Sequence, residues 1–231
     1  MNFELCTDSV EGARMAARFK VRRIELCAAL SVGGLTPSIA LIEHCVQQGG
    51  VEVHVMIRPR EGGFNYSKTE LDLMEEDIVK SARAGAKGVV FGVLDDSYKI
   101  AYENKKLSDR AKRNGLEITF HRAFDLVDEM ETGISSLIEM GFDRLLTAGM
   151  EKNVTDGLLN IQYIQNKFGD RIQVMAGGGV NQNNALLLAA TGIKNLHFTS
   201  RKARHCRNLA GMGTEMIEDE TKIAGITALF Q

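Results

Sequence analysis

The tripeptide Glu-Leu-Cys occurs twice near the start of the chain, at Glu4–Cys6 and again at Glu25–Cys27. The chain contains 4 cysteines, so the two copies hold half of its thiols. Both copies lie in short aliphatic runs that are typical of β-strands, in which residues two positions apart share a face. Each strand is therefore expected to point a carboxylate and a thiol to the same side. The repeat is either a trace of a repeated architecture or a means of placing thiols and carboxylates together.

Ionisable side chains with acid–base character follow on later predicted strands. The segment "VHVMIRPR" (Val53–Arg60) contributes His54 and Arg58, and "TFHRAFD" (Thr119–Asp125) contributes three more. Together with a carboxylate, such groups could transfer protons to and from an anionic substrate. Two alternatives stay open, namely a site for a hard divalent metal and a polar plug whose buried charges compensate one another. The candidate catalytic residues are Glu25, His54, Arg58, His121, Arg122 and Asp125.

Two loops in the last third of the chain have the composition of an anion site. The segment "AGGGVNQNN" (Ala176–Asn184) leads from a predicted strand into a helix, and "TSR" (Thr199–Arg201) follows the next strand. Backbone N–H groups at a helix start often bind phosphate, although a glycine run can also serve only as a tight turn. The basic run Arg201–Arg207 would assist such an anion or remain a solvated loop. The candidate anion-binding residues are Gly177, Gly178, Gly179 and Arg201.

The elements that must position these residues alternate regularly. Six times a helical segment ends at a glycine and a short aliphatic strand follows; the glycines are Gly50, Gly85, Gly115, Gly141, Gly169 and Gly192. Glycine ends helices in this way because it takes positive φ without a clash. With strands at Phe3–Thr7 and Val21–Cys27 the count of strands reaches eight. The pattern predicts an α/β fold, a TIM (β/α)8 barrel, as a single domain over residues 1–231.

The strand parity also predicts which residues enter the barrel. Glu4, Cys6, Glu25 and Cys27 have inward parity, as have His54, His121 and His197, and the aliphatic residues between them would face the helices. We expect Glu25, His54 and His121 at the C-terminal mouth of the barrel, where the active residues of this fold stand. The helices are expected at Ser38–Gln48, Lys68–Ala84, Ser97–Asn114, Asp128–Met140, Asp156–Phe168 and Asn181–Ala190. An open doubly wound sheet is disfavoured because "CTDSVEG" after the first strand is not a glycine-rich dinucleotide fingerprint. No lysine stands at an inward strand end, which disfavours an imine-forming aldolase.

Composition limits the partners. Hydrophobic residues make up 44% and charged residues 25% of the chain, and the net charge is -2, so neither nucleic acid nor an anionic membrane is an expected partner. No apolar run is long enough to cross a membrane. Glu4 and Asp8 stand where a signal peptide would be basic and then apolar, so we expect a cytoplasmic protein with reduced thiols. A homo-oligomer remains open.

Several motifs taken together resemble the CutC family of copper homeostasis proteins. They run in order through nearly the whole chain: "RIELC", "GGLTPS", "VHVMIRPR", "FNYS", "GVVFGVL", "TFHRAFD", "DRLLTAG" and "VMAGGGV". One departure is the stretch "RPREGGFNYS", where Glu61 would have to substitute for an aspartate that the family often carries a few positions away.

The resemblance implies a TIM barrel and a function in copper homeostasis, with Cu(I) on Cys6 and Cys27. Soft thiolates do select Cu(I), and two can suffice. Cys45, on an outer helix, and Cys206, in a late loop, are expected not to take part. The alternatives are that Cys6 and Cys27 are small buried hydrophobic residues, or that the barrel is a lyase-like or isomerase-like enzyme for a small anionic or phosphorylated substrate.

Overall fold

Strands and helices alternate along the chain in a computed structural model, which describes residues 1–204 and 213–231. Eight parallel strands pair in chain order, and the pairing of the last with the first closes them into a barrel. This confirms the predicted TIM barrel. The strands are β1 Asn2–Thr7, β2 Arg23–Leu26, β3 Glu52–Met56, β4 Gly88–Phe91, β5 Glu117–Phe120, β6 Arg144–Thr147, β7 Gln173–Gly177 and β8 Asn195–Thr199.

Helices follow the strands around the outside of the barrel. They are α1 Val10–Arg18, α2 Ile39–Gln48, α3 Lys68–Arg83, α4 Glu103–Arg113, α5 Met130–Glu139, α6 Leu158–Phe168, α7 Ala185–Ala190 and α8 Glu220–Thr227. The helix predicted from Ser97 begins later, because the Asp95 carboxylate accepts the backbone N–H groups of Ser97 and Lys99, at 2.8 and 2.9 Å, and holds a turn there. None of the helices in residues 1–204 and 213–231 is both long and apolar enough to cross a membrane.

The glycines before the strands behave as predicted with one exception. Gly50, Gly85, Gly115, Gly141 and Gly192 all have positive φ. Gly169 has a φ of -60°, so the predicted left-handed turn is wrong there. The chain instead continues in a helical turn, in which the N–H groups of Arg171 and Ile172 both donate to the Phe168 carbonyl.

Two apolar layers confirm the predicted alternation of side chains. The larger layer lies between the barrel and its helices and includes Leu5, Leu26 and Val55. A small separate cluster fills part of the lumen and consists of Cys6, Cys27, Met56 and Val90, with Leu30 packed against it. The lumen therefore receives the cysteines, as their parity predicts.

A short antiparallel pair follows the barrel and was not expected from the sequence. It joins β9 (Arg201–Ala203) to β10 (Met216–Glu218). The Glu218 carboxylate accepts hydrogen bonds from the hydroxyls of Thr7, at 2.6 Å, Ser9, at 3.1 Å, and Ser200. These bonds tie the pair to the ends of β1 and β8. Cys206, and the basic run beyond residue 204, lie outside the described residues.

Candidate functional site

The two thiols meet at one carboxylate in the lumen. The register of β1 and β2 sets Cys6 opposite Glu25, so Cys27 lies two residues further along its strand. The Glu25 Oε2 atom nonetheless accepts from both thiols, at 3.2 Å from Cys6 and 3.7 Å from Cys27. One ligand atom from each of the three residues lies within 4.8 Å of the others. The offset in depth is thus bridged by the side chains.

A line of alternating charges lies directly beneath the thiols. Arg23 Nε donates to Glu4 at 2.8 Å, and His197 Nδ1 lies 2.9 Å from the other oxygen of Glu4. The second ring nitrogen of His197 lies 3.7 Å from Glu25 Oε2. All four side chains are almost completely buried, so each charge depends on its neighbours for compensation. His197 was not among the candidate residues, although its position between Leu196 and Phe198 gives it inward parity.

This line of charges fixes the protonation states around the thiols. Burial opposes the charged form of His197, but Glu25, Cys6 and Glu4 outweigh it and raise the pKa well above the ordinary value. Burial likewise acts against an ionised Glu4, yet His197 and Arg23 lower the pKa of that carboxyl. Glu4, His197 and Glu25 also bring ligand atoms within 4.8 Å of one another. With His197 protonated, these three side chains form an ion-pair network.

The thiols themselves are held in the protonated form. The hydrogen bond with Cys27 and then burial raise the pKa of Cys6. The pKa of Cys27 is about 11: its bond with Cys6 lowers it, but burial and the adjacent Glu25 raise it more. A metal that binds here must therefore displace thiol protons.

A pocket of about 620 Å³ opens from Cys6 toward the C-terminal end of the barrel. Its lining includes Cys6, Glu25, Arg58, His121, Arg122 and Arg201. The His121 Nδ1 atom accepts the backbone N–H of Ala123 at 3.2 Å, which leaves the proton on Nε2. Burial and then Arg58 lower the pKa of His121 to about 3, so the ring is a neutral donor. Its Nε2 atom has no partner among the described residues.

Arg58 organises the loops around the pocket. Its guanidinium donates to the carbonyls of Val32, at 2.9 Å, Gly34, at 3.1 Å, and Gly62, at 2.8 Å. Gly34 has a φ of +90°, and a Cβ atom there would lie 2.9 Å from the sulfur of Cys27. Arg58 therefore holds against Cys27 a loop that only glycine allows to approach so closely.

Asp125 is fully engaged and positions Arg122. Its carboxylate accepts the backbone N–H of Ala148, at 3.0 Å, that of Met150, at 3.1 Å, and the hydroxyl of Thr147. It also accepts Arg122 Nε at 2.8 Å. These donors hold the carboxylate in place, so its place in the site is to orient the arginine.

His54 lies apart from the other candidate catalytic residues. It is completely buried near the N-terminal end of the lumen, with Nε2 3.9 Å from Glu117 Oε2, and Glu117 is bonded to Arg144 at 2.9 Å. Burial, the largest cause, lowers the pKa of His54 to about 4. Inward parity was correct, but the expected place at the mouth was wrong, because neighbouring strands of a tilted barrel feed layers of different depth.

The glycine loop and Arg201 both reach the pocket wall. Gly178 and Gly179 have φ of +111° and +90°, whereas Gly177 is the last residue of β7. Arg201 is paired with Asp8 at 3.2 Å, so its charge is already compensated. The predicted anion-binding residues therefore lie together, with Arg122 as a nearer cation: a Cβ atom on Gly178 would lie 2.8 Å from its Nη1 atom.

Comparison with known proteins agrees with this fold. The solved CutC structure from Streptococcus agalactiae, whose name links it to copper homeostasis, superposes with a TM-score of 0.78 at 30% identity and covers 85% of this chain and 97% of that one. A 3-hexulose-6-phosphate synthase from Salmonella typhimurium, at 16% identity and a TM-score of 0.63, covers 99% of this chain and 98% of that one and shares the fold alone.

Sequence relatives cover almost the whole chain. A family protein CutC of Glaesserella parasuis is 39% identical over 237 residues, which is 98% of this chain and 97% of that protein. One from Pasteurella multocida is 38% identical over 230 residues, covering 96% of this chain and 93% of that protein. The sequence profile of the CutC family matches residues 1–202. This chain belongs to the CutC family.

Proposed function

We propose that the protein binds Cu(I) through the thiolates of Cys6 and Cys27, as part of copper homeostasis in the cytoplasm. The observation that supports this most is the convergence of both sulfur atoms on one carboxylate oxygen within 4.8 Å. Two thiolates packed against Met56 and Val90 suit a soft monovalent ion with a low coordination number. The reducing cytoplasm would keep both the ion and the thiols in the required state.

Glu25 would assist the thiols without being a preferred ligand. Its oxygen is a hard donor, while Cu(I) favours sulfur. In the metal-free protein the carboxylate holds both S–H groups in place by accepting from them. When one Cu(I) ion replaces the two thiol protons, the site becomes more negative by one charge. The protonated His197, with Nε2 3.7 Å from Glu25, would offset that charge.

The proposal is tested by anaerobic competition titration with a Cu(I) chelator. Cys6→Ser and Cys27→Ser are each expected to lose one stoichiometric site. Cys45→Ser is the matched control, since Cys45 is also a buried free thiol but lies on α2, with its sulfur against the Ser9 carbonyl at 3.9 Å. Equal Cu(I) affinity in all three variants and the parent would mean that the lumen thiols are only core packing.

A second candidate function is an enzyme that acts on a small anionic substrate. It is favoured by the unpartnered donor of His121 at the wall of a pocket far larger than one ion. Titration calorimetry with inorganic phosphate tests it. Saturable binding that His121→Asn weakens would support this function, and the lack of any saturable heat would count against it.

A further inference from the structure

The pocket above the thiols is too large for its proposed ion. A volume of about 620 Å³ falls in the range of sites for small organic molecules. Its walls include apolar side chains between the thiols and the cationic rim: Leu30, Met56, Phe64, Leu146, Val180 and Met216. A ligand that fills it would thus be an organic molecule, with a polar group at each end.

The rim end offers donors to an anion. Arg122 is held by Asp125 through Nε, at 2.8 Å, and by the carbonyls of Glu151, at 3.1 Å, and Lys152, at 3.2 Å, through Nη2. These bonds fix the guanidinium but leave Nη1 without an acceptor in the part of the chain that the structure describes. The Asp125 carboxylate also accepts hydrogen bonds from three other groups, so it compensates the charge of Arg122 only in part, and the arginine can bind a further anion.

Backbone N–H groups lie beside this free nitrogen. Gly178 approaches Arg122 so closely that a Cβ atom would lie 2.8 Å from Nη1. Within residues 1–204 and 213–231, the N–H groups of Gly178 and Gly179 meet no acceptor. Consecutive N–H groups in a left-handed turn form a concave site for a carboxylate or phosphate oxygen. His121, which is 5% exposed, adds its unpartnered Nε2–H on the same pocket wall.

The end of the pocket next to Cys6 suits a soft donor atom on the ligand. Two protein thiolates leave Cu(I) able to accept a third sulfur ligand, and sulfur is the donor that Cu(I) prefers. The space directly above Cys6 belongs to the pocket and is open to a ligand.

We propose that the pocket binds a small thiol carrying carboxylates, with a carboxylate at Arg122, Gly178 and Gly179 and with its sulfur as the third ligand of Cu(I). This inference rests on the proposed Cu(I) site at Cys6 and Cys27. The ion would arrive as a complex with two such thiolates. One of them is released and takes one cysteine proton, the other stays on the metal, and the second cysteine proton goes to solvent. Copper remains Cu(I) throughout.

The test uses glutathione as the probe and the full chain as the protein. Chelator competition is run with and without glutathione, and X-ray absorption counts the sulfur ligands. We expect two sulfurs without glutathione, three with it, and a higher Cu(I) affinity in its presence. S-methylglutathione, which keeps the carboxylates but has no thiol, should raise neither value. These comparisons need no variant.

Arginine variants test the anion end. Arg122→Gln is expected to weaken the glutathione effect about tenfold, the size of one lost charge-assisted hydrogen bond. Arg60→Gln is the matched control. Arg60 is also bound to a carboxylate and to backbone carbonyls, and its side chain is 41% exposed against 39% for Arg122. Arg60 does not contribute to the pocket lining in the described part of the chain.

Each failure points to a different conclusion. If Cu(I) binds neither with nor without glutathione, the proposed function itself is wrong. If Cu(I) binds to Cys6 and Cys27 with an affinity that glutathione does not change, only the present inference is overturned. Three sulfurs in the absence of glutathione would overturn it too, because the protein itself would then supply the third sulfur ligand. Neutral 2-mercaptoethanol acting as strongly as glutathione would rule out the anion contact.

Discussion

Replacing Glu4 by glutamine should destabilise the barrel severely. Glu4 is completely buried and accepts from Arg23 at 2.8 Å and from His197 at 2.9 Å, so one carboxylate compensates two buried cations. Glutamine keeps the shape, but it carries no charge and turns an N–H₂ group toward one of the two donors. Breaking a buried ion pair from one side costs about 3–5 kcal/mol. A domain is stable by about 5–15 kcal/mol, so the loss would be roughly a fifth or more of the free energy of unfolding.

The measurement is urea unfolding at pH 7, with Glu52→Gln as the control. Glu52, at the start of β3, pairs at 3.3 Å with Arg22, which lies just before β2. Both side chains are substantially exposed, so the loss of this pair should cost less than about 1 kcal/mol. The slope of free energy against urea should be the same for all three proteins. Equal losses for the two variants would refute the view that Glu4 compensates buried charge.

The stability that Glu4 contributes should depend on pH. Burial opposes the ionised form, but His197 and Arg23 lower the pKa of folded Glu4 below the ordinary value of 4.5. A carboxyl with a depressed folded pKa adds stability above its unfolded pKa and loses it as the pH falls toward the folded one. The difference between parent and Glu4→Gln should thus be largest above about pH 5 and should shrink at lower pH.

Three further predictions concern other parts of the fold. Burial lowers the pKa of His121 to about 3, so this histidine takes up a proton in the unfolded chain before it does so in the folded protein, once the pH falls below 6.5. The free energy of unfolding should therefore fall between pH 6.5 and 4, and unfolding curves of His121→Asn should show a smaller fall. Burial raises the pKa of the Cys45 thiol to about 11. Mass spectrometry should therefore find this thiol unmodified by iodoacetamide at pH 7.5 in the native protein and modified in urea. Rapid labelling of the native protein would contradict the buried position of Cys45. Gly12→Ala would place a Cβ atom 2.6 Å from the Thr7 Cβ and 2.7 Å from the Glu218 carboxylate. The midpoint of thermal unfolding should therefore fall by several degrees, and β10 should become sensitive to protease. An unchanged midpoint would show that the neighbouring side chains move away from the new methyl group at no cost.

The barrel could be predicted because its signals are local. A glycine with positive φ before each of five later strands and the alternation of inward and outward residues require only neighbouring positions in the chain. Parity alone sends Glu4, Cys6, Glu25 and His197 inward, and the structure agrees. Gly169 shows the limit of the local signal, because there a helical turn ends the helix and leads into the strand without left-handed backbone.

Depth in the lumen could not be predicted, because it depends on register between strands. The pairing of Cys6 with Glu25 joins residues that are 19 positions apart, and no pattern within either strand encodes it. The same stagger sends His54 to the closed end near Glu117 and leaves His121 at the mouth. The engagement of Asp125 was also hidden, since its partners come from the next loop of the chain.

The bond between Glu4 and His197 has a consequence for the order of assembly. It joins residues 193 positions apart, on the first and the last strand of the barrel. During synthesis Glu4 can meet Arg23 early, since β1 and β2 are neighbours in sequence. His197 arrives only with β8, and until then Glu25 lacks its cationic neighbour. Closing the barrel and neutralising its lumen are therefore one event. A nascent chain that lacks β8 exposes the free pairing edge of β1 next to uncompensated charge, so early collapse of the incomplete ring is disfavoured.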